Sequence, residues 1–125
     1  MNRMDLMETI SEEMEQVSPT GSKRKNAGKS QISQLSPEFI NDLAGLMTKV
    51  AESGKYKEFN WAKGQMMRTA YDSCQRHLLD FYAGEDIDQE SGQPHLLHAA
   101  ANIMFLYHTY KNHPQLDDRP EELKK

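Results

Sequence analysis

Apolar residues recur at helical spacing in three stretches of the chain. Phe39, Ile40, Leu43, Leu46, Met47 and Val50 form the first stripe, and steps of three and four residues predict an amphipathic helix. Its start is marked by Ser36-Pro37: the serine hydroxyl accepts free amide hydrogens, and proline is preorganised for the first helical turn. Gly54 ends it. Met67, Ala70, Tyr71, Cys74, Leu78 and Phe81 predict a second helix, from about Met66 to Ala83, with Gly84 as its stop. Leu97, Ala100, Ile103, Met104 and Tyr107 predict a third, from about Pro94 to Tyr110, and Ala99, Ala100 and Ala101 give it a thin surface for close helix approach. Leu6, Ile10, Met14 and Val17 repeat the spacing more briefly, which reads either as a short docking helix or as a frayed terminus. No strand-like alternating run appears. The expected fold is therefore all-α, a compact helical domain of three or four main helices.

The same pattern suggests an organisation: an amphipathic segment and polar linker over 1–35, the helical domain over 36–112, and a polar tail over 113–125. The linker, SPTGSKRKNAGKSQISQLS, has no period and four basic residues, Lys23, Arg24, Lys25 and Lys29. These read as solvated lysines and arginine, with a reach toward polyphosphate as the sharper alternative. Gly28-Lys29-Ser30 is not a phosphate loop, because Lys23 stands where the first glycine belongs and no strand precedes it.

Composition narrows the class. The chain has 125 residues, 37% apolar and 27% charged, with a mean hydropathy of -0.83. That supports one modest core, and short chains often add oligomer contacts. No apolar run is long enough to span a membrane, and the opening MNRMDLMETISEEMEQ lacks the apolar centre of a secretory leader. One cysteine, Cys74, permits no internal disulfide and suits a reducing, cytoplasmic setting. A net charge of -4 argues against a direct, non-specific DNA binder.

The candidate chemistry lies around one connection. Two helices joined by a short loop run antiparallel, so His77 near the end of the second would face His95, His98 and Asn102 near the start of the third. Between them, Glu85, Asp86, Asp88 and Glu90 crowd four carboxylates into six positions. An inward polar group costs free energy unless it is bonded or liganded, and carboxylates suit Mg2+ or Mn2+. The bland alternatives are a solvated acidic turn and satisfied buried histidines. Cys74, His77, His95 and His98 also compose a four-ligand zinc alternative. Trp61, the one tryptophan, either anchors its loop on the core or stacks on a base.

Arg76-His77-Leu78-Leu79, the run from Gly84-Glu85-Asp86 through Pro94-His95-Leu96-Leu97-His98 to Asn102, and the flanking Ser36-Pro37-Glu38, Asn60-Trp61, Lys63-Gly64 and His113-Pro114 with Leu116-Asp117-Asp118-Arg119 resemble the phage-encoded dATP/dGTP diphosphohydrolase N-terminal-domain family. The wider similarity is to MazG-like all-α nucleotide pyrophosphohydrolases. The resemblance implies an oligomeric enzyme that cleaves a deoxynucleoside triphosphate to monophosphate and pyrophosphate with Mg2+ or Mn2+, in a phage-infected bacterial cytoplasm. The chain departs from the paired Glu-x-x-Glu helices of the better-known members: it has His77-x-x-Asp80 and His95-x-x-His98. The metal load then moves to Glu85, Asp86, Asp88 or Glu90, helped by Asp80. His95 or His98 would accept the water's proton, and Asn102 would orient water, His98 or a base edge. Lys63, Arg68, Arg76 and, from the tail, Arg119 are candidate phosphate clamps. The rival expectation is a phage protein that sequesters a nucleotide or inhibits a host protein without turnover.

Overall fold

The computed structural model describes residues 2–4 and 15–125. It divides into two units, Met1–Ser36 and Pro37–Lys125.

The first unit contains a small antiparallel hairpin where the sequence suggests the end of an amphipathic segment and a linker. Strand β1 (Glu15–Val17) pairs with β2 (Lys23–Lys25) in the register Glu15 to Lys25, Gln16 to Arg24 and Val17 to Lys23. The turn supplies the order: the Ser18 hydroxyl accepts the Thr20 and Ser22 amide hydrogens at 3.3 and 3.0 Å, and Gly21 takes a φ of +87°. Each strand is three exposed residues, too short for alternation to register in sequence. Of the expected N-terminal helix, Leu6, Ile10 and Met14 lie outside the described residues, and Val17 is an exposed strand residue.

The second unit carries three helices: α1 (Pro37–Glu52), α2 (Met67–Tyr82) and α3 (His95–Asn112). Helix α1 packs on α3, with Leu46 buried and Leu43, Met47 and Val50 half-buried. Phe39 and Ile40, expected in the core, are exposed, because only the C-terminal part of the stripe turns inward. Its end fits the reading: Gly54 has a φ of +75°, and its amide hydrogen goes to the Ala51 carbonyl.

Helices α2 and α3 form an antiparallel pair. Ser73 meets Asn102, His77 meets His95, and the backbone just before α2, at Gln65, meets Thr109. On α2, Met67, Ala70 and Cys74 are buried, with His77 next in the series. Steps of three and four keep one side chain per turn on the seam. On α3 the buried positions are His95, Ala99, Ala101, Asn102 and Thr109. The predicted α3 stripe is only partly inward: Leu97, Ala100 and Met104 are half-buried, whereas Ile103 and Tyr107 are exposed. On α2, Tyr71, Leu78 and Phe81 also lie on the exposed side. The physical reason is pairing. Buried polar groups on α3 are bonded across the seam, so they go inward without the desolvation cost that would exclude them alone.

The segments outside the helices are tied at the far end of this pair. Trp61 is half-buried and sits edge-on to His108, with centroids 5.0 Å apart. The Ala62 carbonyl accepts from His108 Nε2 at 3.1 Å and from His113 Nε2 at 2.9 Å. Gly64 follows with a φ of +84°. The tail folds back so that the Asp118 carboxylate accepts the Arg68 amide hydrogen at 2.8 Å. Met66, at the start of α2, offers no side-chain cap, so a residue fifty positions later satisfies an orphan amide of the first turn and places negative charge at the positive end of the helix.

Two expected outcomes follow from these ties. A Cβ at Gly64 would lie 2.7 Å from His113 Cδ2 and Leu116 Cδ1, so Gly64→Ala is expected to destabilise by about 1–3 kcal/mol through overpacking and backbone strain. Asp118→Ala is expected to cost about 1 kcal/mol, the usual loss for a helix cap. Denaturant unfolding followed by circular dichroism at 222 nm checks both; wild-type midpoints would contradict them.

Candidate metal centre

The site forms where α2 ends and α3 begins. Gly84 turns the chain with a φ of +99°, and the Glu85 amide hydrogen returns to the Asp80 carbonyl. Ile87 bridges Pro94, and the Asp88 amide bonds to the Gln93 carbonyl at 2.9 Å. The acidic loop is therefore a tight bonded turn, and it sends Glu85 back over the helix ends.

His95 is the centre of the arrangement, 1% exposed. Its Nε2 lies 2.6 Å from Glu85 Oε1, and its Nδ1 lies 2.8 Å from His77 Nδ1. Only one hydrogen fits between two Nδ1 atoms. When neutral His95 donates from Nε2 to Glu85, its bare Nδ1 accepts from His77. His98 stacks on His77 with ring centroids 4.5 Å apart and planes 10° apart. Asp80, Glu85 and His95 each present one ligand atom, all within 4.8 Å of one another. His95 is buried, whereas both carboxylates are exposed at the mouth.

The other sequence candidates fall into three groups. Asp88 turns to His98, with Oδ2 3.6 Å from Nε2, and the Ser91 hydroxyl lies 2.6 Å from the same nitrogen. Asp86 contributes its backbone carbonyl to the His95 amide hydrogen at 3.0 Å, and Glu90 is exposed. Neither they nor Asp88 joins the Asp80–Glu85–His95 set among the described residues. Asn102 donates to the Ser73 hydroxyl at 3.1 Å and to the His98 carbonyl at 2.9 Å, which makes it a strut between the helices. The zinc alternative does not assemble: among the described residues Cys74 joins no group of possible ligands, and its buried thiol is pushed above its ordinary value.

Arg76 precedes His77 on α2 and is exposed. Lys63, Arg68, Trp61 and Arg119 belong to the opposite end of the helix pair. Arg68 is twelve residues before Asp80, a separation of ~18 Å along a helix rising 1.5 Å per residue. Arg119 is already forked onto Asp117, through Nε to Oδ1 at 2.9 Å and Nη2 to Oδ2 at 2.7 Å, and that guanidinium holds the Asp117 carboxyl well below the usual carboxylate range. Sequence reasoning missed Ser73 and Ser91. Neither carries a spacing signal, because Ser73 meets Asn102 across the helix pair and Ser91 reaches His98 from the loop.

Burial pushes the His77 imidazole below the ordinary value of 6.5, and nearby His98 adds to this against the opposing pull of Asp88. Burial lowers His98 in the same direction, again opposed by Asp88. Burial of Asp88 resists ionisation, but bonds from the Ser91 hydroxyl and the Glu90 amide, with His98 and His77 nearby, outweigh it and hold its carboxyl low. Between the lowered native histidine values and 6.5 the unfolded chain binds more protons than the folded one, so stability rises with pH across that window and is lost on acidification. The unfolding midpoint is expected to fall from about pH 7.5 to about pH 5, and less steeply in His98→Gln. Denaturant titrations at both pH values check this; identical slopes in the two proteins would contradict it.

Residues 19–119 match the family described as dATP/dGTP diphosphohydrolase, N-terminal. A dATP/dGTP diphosphohydrolase of Salmonella phage PMBT28 is 34% identical over 92 residues, which is 74% of this chain and 31% of that relative. The chain thus spans about a third of the length of the curated relative it matches. No solved structure matches it. By a match covering most of its length, the chain belongs to the dATP/dGTP diphosphohydrolase N-terminal family.

Proposed function

We propose that this chain carries out metal-dependent hydrolysis of dATP or dGTP to the monophosphate and pyrophosphate, with Asp80, Glu85 and His95 as the metal-holding residues. The observation that carries the reading is the convergence of one buried imidazole nitrogen and two carboxylates within 4.8 Å. Family membership and the name of the phage relative support the substrate class.

The donor set fits a divalent cation. Two carboxylate oxygens suit Mg2+, and one imidazole shifts the preference toward Mn2+. Three protein ligands leave positions for phosphate oxygens and water. The chemistry such an ion supplies when bound is charge neutralisation on the triphosphate and acidification of a water. The chain's own residues do the rest. His77 fixes the His95 ring from behind, and such outer bonds orient a metal-ligating imidazole. His77 and His98, both held below 6.5, are neutral near pH 7 and are the available proton acceptors. Ser91 and Asp88 hold His98 in place. Arg76 is the candidate clamp at this end. Asp86, Asp88 and Glu90 remain in the proposal as acidic surroundings of the site.

A second reading, nucleotide binding without turnover, is favoured by one observation: three of the four candidate clamps, Lys63, Arg68 and Arg119, sit at the other end of the helix pair. Self-association is part of the proposal as well, since Leu79 and Tyr82 are 68% and 92% exposed. So is a bacterial host cytoplasm; no helix among the described residues is long and apolar enough to cross a membrane.

The test is a panel of four deoxynucleoside triphosphates with Mg2+, Mn2+ or chelator, scored for monophosphate and pyrophosphate, alongside Mn2+ titration by calorimetry. Metal-dependent pyrophosphate release is expected. Asp80→Asn and Glu85→Gln are expected to weaken Mn2+ binding by about 10- to 100-fold or more and to remove turnover. Mn2+ binding without product at long times would replace hydrolysis with the binding-only reading. Absence of Mn2+ binding would remove the metal centre and the hydrolysis that depends on it.

A further inference from the structure

At the end of the helix pair remote from the metal centre, α2, α3 and the tail enclose an open groove of about 1040 Å³. Its walls include Tyr71, Tyr107 and Tyr110, with Arg68, Arg119 and Asp72. The tyrosines are 55%, 63% and 57% exposed, and the rings of Tyr107 and Tyr110 stand 6.2 Å apart at 44°. Two rings set at an angle offer a planar ligand a face and an edge. Among the described residues the Arg68 side chain makes no ion pair, whereas Arg119 spends one edge of its fork on Asp117. Arg68 and Arg119, both candidates for phosphate from sequence, thus line the same groove, and Arg68 lies ~18 Å from Asp80 by helix rise.

The lining also includes Met67, Ile103, Leu106 and Leu123, so it suits a planar, partly apolar ring that carries an anionic group. Aromatic faces stack bases without regard to sequence, a guanidinium with free donors pairs with phosphate, and a carboxylate accepts from a base amino group. An uncharged apolar partner would leave Arg68 and Asp72 unused. We propose that this groove is a second nucleotide site, independent of metal, in which the base of a free nucleotide stacks on Tyr107 and its phosphate pairs with Arg68. It stands apart from the proposed hydrolysis, because none of its residues belongs to the metal centre.

The test uses the full chain in chelator, titrated with dAMP and followed by calorimetry and by amide chemical shifts. Saturable binding is expected, with shifts at the groove. Tyr107→Ala and Arg68→Ala are each expected to weaken it at least about fivefold, the lower end for one base–aromatic stack. Glu85→Gln is expected to leave it unchanged. Circular dichroism confirms that the variants are folded, and both substituted side chains point to solvent, so folding loss is not the trivial outcome. Four results would overturn the proposal. These are no dAMP binding, binding indifferent to both groove variants, tighter binding of a 5′-phosphorylated hexanucleotide with the same variant sensitivity, or a dimer in light scattering that Tyr107→Ala dissociates.

Discussion

An imidazole removed from water must have both ring nitrogens satisfied, and His95 meets that demand from two separate pieces of chain. His77 on α2 takes one nitrogen and Glu85 on the returning loop takes the other. Neither can move alone without leaving a buried polar atom unpaired, which costs about 1–3 kcal/mol. That pair of hydrogen bonds ties the end of α2 and the returning loop to the start of α3, and it adds to the turn's own backbone bonds and to the Ser73–Asn102 contact. A residue placed inward for chemistry thereby also sets the geometry of the elements around it.

Much of the helical domain was legible because its signals are local. Ser36-Pro37, Gly54 and Gly84 mark helix ends by chemistry that needs no tertiary partner, and all three sit where α1 and α2 start or stop. The buried face of α3 was not legible. Leu97, Ile103 and Tyr107 satisfy the periodic rule, yet the interior belongs to His95, Ala99, Asn102 and Thr109. Periodicity weighs each side chain by its own transfer cost, whereas the real cost depends on whether Ser73, His77 and Gln65 wait on the other side. The β1–β2 hairpin escaped for another reason: its order comes from one serine hydroxyl, and three-residue strands carry no pattern.

The candidate centre was legible as a neighbourhood, not as a geometry. Antiparallel reasoning brings His77, Glu85, His95 and His98 together. It cannot say that Asp80 joins Glu85 while Asp86 and Glu90 point elsewhere, since that depends on the loop's internal bonds. Positive side chains show the same gap: Lys63, Arg68 and Arg119 read as clamps by charge alone, and the length of α2 separates them from the carboxylates.

The two imidazoles converging on Ala62 carry a consequence of their own. One peptide oxygen fastens the loop before α2, the last turns of α3 and the tail, so these pieces cannot loosen one at a time. Rupture there frees two nitrogens and unseats Trp61 from His108 together. Fluctuations of this end should be rare and collective, whereas the Asp80 carboxylate, exposed at the opposite end, can readjust on its own. The Ala62 end is thus held as one unit, joined through a single oxygen to two imidazoles.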